Sequence, residues 1–243
     1  FENKGRFLDD IVDGLWAICE ETSWCLPAHA NPPGTPLPES GEPDPLPRQD
    51  RHVVDLFAAQ TGMILAEAIH LLKDGLESVS ANLVERVRRQ CIERVVDPVI
   101  DYEDIHWKRY TFNWNPWCSS NALGTGLLML DDGDRVKALL EEVTRCVDVF
   151  LEGQPDDGGC TEGPGYWMVS AGSMLVLLEF LNDWSDGKID LYENSLIRKM
   201  GRYIVTVHQG GRSFATFADC PPKCTSLGPA VIHRYGERVH NKP

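Results

Sequence analysis

Seven stretches of this chain carry apolar residues at helical spacing, and no run of strands alternates with them. They are Phe7–Glu21, Val53–Leu72, Val79–Val99, Trp117–Leu130, Arg135–Leu151, Tyr166–Leu181 and Leu191–Val207. Apolar positions recurring every three or four residues bury one helix face, whereas period-two alternation would make a half-buried strand. Without strand–helix alternation an α/β fold is excluded. Short turns and a few longer polar loops join the segments, which predicts an all-α array of antiparallel helix pairs. Val53–Leu72 carries apolar residues on more than one face and is expected to be buried on two sides. In Val79–Val99, the Glu and Arg positions opposite Leu83, Val87, Cys91 and Val95 read as a solvated face, and Pro98 is expected to end the helix. Asp134 is expected to cap the helix that follows it. After Gln209-Gly210-Gly211 the pattern changes. Ser213–Asp219 reads as a strand or extended exit, and Ala230–Tyr235 as a short helix.

Residues 30–48 are different in kind. Seven prolines (Pro32, Pro33, Pro36, Pro38, Pro43, Pro45 and Pro47) and two glycines make an extended loop. Such a loop either crosses a binding face or is a surface insertion.

The 243 residues suffice for one domain with a sizeable core. The hydrophobic content of 42% is that of an ordinary globular protein. No apolar run reaches the roughly 18 residues of a membrane span, so no membrane partner is expected. The formal net charge of −14 argues against nucleic acid and anionic membranes, which need a positive surface. It also repels an acidic polysaccharide, although salt confines that repulsion to about 8 Å. Arg109, Lys108, Arg202 and Arg212 are the cations that a cleft for such a substrate could use. The eight cysteines are expected to be mostly reduced, since a chain this large needs no disulfide framework. That favours the cytoplasm. The start at Phe1, without an initiator methionine or a signal-peptide core, points to a processed product or fragment, and leaves a secreted or periplasmic location open. Cys220-Pro221-Pro222-Lys223-Cys224 lacks a nearby histidine pair, so free thiols are expected there and no metal. No Walker loop, HExxH motif, nucleophile elbow or dinucleotide fingerprint occurs, and no cofactor is expected.

The stretch most suited to chemistry is Asp156-Asp157-Gly158-Gly159-Cys160-Thr161-Glu162-Gly163-Pro164-Gly165-Tyr166-Trp167. Its glycines permit positive φ and close approach, Pro164 fixes one φ, and Glu162 and Tyr166 sit where a helix opens. On the residues alone, a glycine-rich connector with a packing tyrosine is the simpler reading.

A resemblance weighs against that reading. Asp157–Trp167 resembles the Asp-Gly-Gly-x-x-Glu-Gly-Pro-x-Tyr-Trp segment of the heparinase II/III-like polysaccharide lyases. Asn113-Trp114-Asn115-Pro116-Trp117 with Ser120-Asn121 fits the same family, as does Trp24-Cys25-Leu26-Pro27-Ala28-His29 followed by Val54–Thr61. Order and spacing agree from about Leu15 to Cys220. The resemblance implies an incomplete α/α toroid over residues 1–212. It also implies that residues 213–243 lead toward a β-sandwich domain outside this chain. The implied activity is cleavage of a uronic-acid-containing poly- or oligosaccharide by β-elimination.

That reaction removes the C5 proton of a uronate and expels the group at C4. The uronate carboxylate must be hydrogen-bonded or neutralised for the enolate-like transition state to form. A base takes the proton, and the same or a second group protonates the leaving oxygen. Residue-by-residue matching implies Asn113 as neutraliser and Tyr166 as base and acid. Asn115 and Asn121 are alternatives to Asn113. Glu162 would orient Tyr166 or bind a sugar hydroxyl, and Trp114, Trp24 and His29 would line the substrate. The plain alternatives are a cap for Asn113, core for Trp114, Trp117 and Tyr166, and an exposed loop for His29. The family usually supplies a further His or Tyr from the β-sandwich, and nothing here matches it. Two rival readings remain. One is a toroid glycoside hydrolase using Asp157 and Glu162, or Asp104 and Glu162. The other is a carbohydrate-binding toroid that stacks sugars on Tyr110, Trp114, Trp117 and Trp167.

Overall fold

The structure is a computed structural model, and it describes residues 4–31, 41–42, 46–48, 50–224 and 227–240. Most of the proline-rich 30–48 stretch lies outside the described residues. The described chain is mostly helical, with one small two-stranded sheet, and it divides into two compact units. Unit 1 comprises residues 1–106 and 121–143; unit 2 comprises 107–120 and 144–243.

Unit 1 begins with α1 (Leu8–Glu20), followed by a 3₁₀ turn at Pro27–His29, α2 (Leu56–Val79) and α3 (Ala81–Cys91). α2 starts where Asp55 accepts the Ala58 N–H at 2.7 Å, satisfying one of the orphan donors of the first turn. Ser80 separates α2 from α3 and caps α3 through the Leu83 N–H. A one-residue connection makes the two helices a tight hairpin. A Cβ on Gly62, early in α2, would lie 2.8 Å from Val95 beyond the end of α3, so the helices run antiparallel and in close contact.

The helix does not end at Pro98. A π-helical turn at Ile92–Val96 widens it, and α4 (Asp97–Asp101) continues with Pro98 in its first turn. Proline is tolerated there because first-turn N–H groups lack intrahelical partners. The hairpin of α5 (Trp114–Met129) and α6 (Gly133–Glu152) turns at 130–132. The cap of α6 is Asp132, whose Oδ1 accepts the Asp134 and Arg135 N–H groups at 2.9 and 3.4 Å. Asp134 falls inside the helix because α6 starts at Gly133, earlier than the apolar pattern indicates. Arg135 then bonds Asp97 and Asp101, tying α6 to α4.

Unit 2 holds a 3₁₀ turn at His106–Arg109, a second at Pro164–Val169, α7 (Ala171–Trp184), α8 (Ser195–Thr206) and α9 (Pro229–His240). Of the turn, only His106 belongs to unit 1. Strands β1 (His208–Gly210) and β2 (Ser213–Phe214) pair antiparallel, so the expected exit strand is only two residues long. Pro164–Trp184 is long and apolar enough to pass for a membrane span. Its Ala171, Met174, Leu175, Leu178 and Leu181 are buried in the core.

α7 and α9 are joined through one carboxylate. Glu179 accepts from Arg234 Nε at 2.9 Å, from Arg238 Nε at 2.6 Å and from the Tyr192 hydroxyl. Although partial burial opposes it, these donors hold its carboxyl below the usual glutamate range. Glu179→Ala is expected to destabilise the protein by about 2 kcal/mol, because two arginines and a tyrosine lose their acceptor. A carboxyl with a depressed folded pKa stabilises fully above its unfolded pKa, and that stability is lost as pH falls through the folded value. The wild-type advantage over Glu179→Ala in urea titrations should therefore shrink on acidification below about pH 4.

Candidate functional site

The candidate site lies in unit 2, on the loop between α6 and α7. The loop is braced at its entrance by Gln154, whose side-chain amide donates to Thr111 O at 2.7 Å and Phe150 O at 3.0 Å. A Cβ on Gly153 would fall 2.2 Å from the Thr111 Cβ, so only glycine permits this approach. The 111–113 strip and the loop entrance are thereby held together.

Further along, Asp157 Oδ1 accepts the Gly159 N–H at 2.9 Å, and Lys199 Nζ donates to Asp156 O at 2.7 Å. Gly158 has φ +74°, and a Cβ there would meet Met200 N at 2.4 Å. Gly163 has φ +91°, and its Cβ would meet Phe217 O at 2.6 Å. Both glycines are therefore required twice, for backbone sign and for space. The Asp219 N–H donates to Glu162 O at 3.3 Å, which fastens the loop to the 217–220 turn.

These braces place Glu162 against Asn113. Asn113 Nδ2 donates to Glu162 Oε2 at 2.7 Å, and the Asn113 backbone N–H also faces the carboxyl. Asn113 is only 4% exposed, while Glu162 is half-buried. Burial pushes the Glu162 carboxyl above the usual range. The Asn113 bonds pull it back, and the charge of Asp219 raises it again. Glu162 makes no hydrogen bond to Tyr166 among the described residues, so its carboxyl is oriented by Asn113. Tyr166 is 36% exposed, and its hydroxyl has no hydrogen-bond partner among the described residues. The adjacent Trp167 is fully buried and donates to Met200 O at 2.9 Å, anchoring the turn that presents Tyr166. Tyr110 and Phe112 stack with centroids 4.4 Å apart just before Asn113.

The remaining expected residues are Asn115, Asn121, Trp114, Trp24 and His29. Asn115 is fully buried, and its amide donates to Tyr110 O at 3.0 Å and Cys146 O at 2.6 Å. It braces the backbone that carries Asn113. Trp114 is partly exposed beside it. Asn121, Trp24 and His29 belong to unit 1. Trp24 is buried, donates to Ile18 O and lies under the Arg94 guanidinium, as a core residue does. His29 Nδ1 lies 2.7 Å from Oδ2 of the fully buried Asp55, which also accepts the Leu26 N–H. That pair secures the Pro27–His29 turn to the start of α2. Of the expected cations, Lys108 is buried, whereas Arg109, Arg202 and Arg212 are exposed.

All eight cysteines are buried and unbridged. No cluster of three metal-ligating side chains occurs among the described residues. Asp219 is the site group that the sequence reading overlooked. It lies at the end of the stretch read as a strand or extended exit, and only the fold brings it to Glu162. The chain matches no protein-family model and no curated protein.

Gly158→Ala is expected to cost about 2–4 kcal/mol, combining left-handed strain with a backbone clash. Gly187, with φ +75° but nothing within 4 Å, provides the control. Gly187→Ala should cost only about 1 kcal/mol in the same urea titration.

Proposed function

We propose that this chain carries the catalytic residues of a polysaccharide lyase similar to the heparinase II/III-like enzymes, with its helices forming part of an α/α toroid. Its substrate is a uronic-acid-containing glycan, cut by β-elimination. The observation that carries this reading is the 2.7 Å bond from Asn113 to Glu162, on the same short loop that exposes Tyr166. Residues from two separate sequence motifs thus meet in one unit.

In this scheme Asn113 spends one amide hydrogen on Glu162 and directs the other to the substrate carboxylate. That hydrogen bond favours the charge that builds up as C5 loses its proton. The Tyr166 hydroxyl, without a hydrogen-bond partner among the described residues, is the group that reaches C5. The stacked Tyr110 and Phe112 offer an aromatic surface for a sugar ring. Exposed Arg109, Arg202 and Arg212 supply local positive charge on an otherwise acidic protein, and a β-sandwich domain in the same protein would complete the cleft. The two-carboxylate hydrolase is less well supported. Asp157 is engaged by the Gly159 N–H, and Asp104 is paired with Arg51 in unit 1.

The test offers the full-length protein heparan, hyaluronan, chondroitin, alginate and short uronides while ultraviolet absorbance reports the C4–C5 unsaturated product. Tyr166→Phe should lower turnover by about 10²–10⁴-fold, and Asn113→Ala by about 10²–10³-fold. New reducing ends without absorbance would establish a hydrolase instead. Binding without either signal would establish a carbohydrate-binding toroid.

A further inference from the structure

The loop that carries Glu162 and Tyr166 is met by a second piece of backbone, the 217–220 turn. The base of that turn is closed on the small sheet. The Ala215 N–H donates to Val207 O at 2.9 Å, the Cys224 N–H donates to Arg212 O at 3.0 Å, and Ser213 bridges Lys223. Within the turn the Cys220 N–H donates to Phe217 O at 3.1 Å, and Ala218 is left-handed, with φ +47°. A residue with a Cβ keeps that conformation only where its surroundings fix it. Here they do. Cys220 is buried, with its Sγ 3.7 Å from where a Cβ on Gly165 would lie. The Asp219 N–H donates to Glu162 O at 3.3 Å, and a Cβ on Gly163 would meet Phe217 O at 2.6 Å.

The strained Ala218 separates two exposed side chains. Phe217 is 43% exposed, and Asp219 is exposed and makes no ion pair among the described residues. Both sit on backbone that touches Glu162 and Gly163, next to the turn that presents Tyr166. We propose that the 217–220 turn is a sugar subsite. Phe217 stacks there on an uncharged pyranose next to the uronate, and Asp219 accepts hydrogen bonds from that sugar's hydroxyls. The assignment rests on the lyase reading above, which puts the uronate at Asn113 and Tyr166.

The chemistry of the two side chains selects this occupant. An aromatic face covers the C–H face of a pyranose, and a carboxylate only accepts, so it suits hydroxyl donors. The same carboxylate repels a sulfate or a second uronate. The Asp219 charge already reaches Glu162, so a further anion there would face two carboxyls. Salt confines this repulsion to about 8 Å, which restricts the selection to the sugar seated on the turn. On the other side of Glu162, the Tyr110–Phe112 stack belongs to the strip that leads into Asn113.

The test uses the full-length protein and tetrasaccharides of chondroitin and of heparosan, each unsulfated or 6-sulfated on the hexosamine beside the uronate. Wild type should process the unsulfated member with a kcat/KM about tenfold or more above its sulfated twin. Phe217→Ala should raise KM about tenfold on both members, with kcat changed less than about threefold, and Phe217→Tyr should keep the wild-type KM. Asp219→Asn should narrow the preference for the unsulfated member to within about threefold. An unchanged KM in Phe217→Ala, a wild-type preference for the sulfated member, or turnover of alginate in place of both would overturn the subsite. If wild type forms no unsaturated product from any of them, the lyase reading fails, and calorimetry with the same tetrasaccharides decides the subsite. A Kd weakened about tenfold by Phe217→Ala keeps it as part of a carbohydrate-binding surface; no binding, or an unchanged Kd, overturns it.

Discussion

The hydrogen bond from Asn113 to Glu162 is the constraint around which unit 2 arranges its loop. A half-buried carboxyl facing a second carboxylate is unfavourable unless a donor satisfies it. Asn113 provides that donor, and it must be held where it is. Fully buried Asn115 holds the backbone that carries it, through bonds to Tyr110 O and Cys146 O. Gln154 and Gly153 hold the Thr111 strip from the other side. The cost of burying these polar groups is repaid only if the loop keeps one shape. That explains why Gly158 and Gly163 are packed against backbone atoms that admit no Cβ.

Rigidity and exposure are thus divided between neighbouring residues. Trp167 is fully buried and anchored to Met200 O, whereas Tyr166, one residue earlier, faces outward. A short 3₁₀ turn makes this alternation possible, because successive side chains point about 120° apart. The core of α7 then follows directly. The Tyr166 phenol is in this way carried on the 3₁₀ turn at Pro164–Val169 that leads into α7.

Much of the helical framework was legible in the sequence because apolar periodicity reports burial directly. The α1, α2, α6 and α8 patterns show it plainly. Boundaries were less legible where capping and register decide them. Asp132 caps α6 because the helix begins at Gly133, a glycine that periodicity cannot see. Pro98 failed to stop its helix because a π-helical turn precedes it. At the site, Asn113, Glu162 and Tyr166 were visible as motif residues, but their pairing was not. Sequence spacing cannot say that the Glu162 carboxyl turns to Asn113 and leaves Tyr166. Trp24, a candidate sugar subsite, and Asn115, an alternative to Asn113, are both buried, since tryptophan and asparagine serve interiors as readily as sugars and spacing does not separate the two uses. Asp219 was invisible, because it acts only through a contact between segments far apart in the chain.

The most direct measurement is a double-mutant cycle on stability with Asn113→Ala, Glu162→Ala and the double variant, read from urea unfolding. A bond that orients the loop should appear as a coupling energy of about 1 kcal/mol between the two positions. Strictly additive losses would mean that the two side chains do not support each other, and would contradict the account of the site.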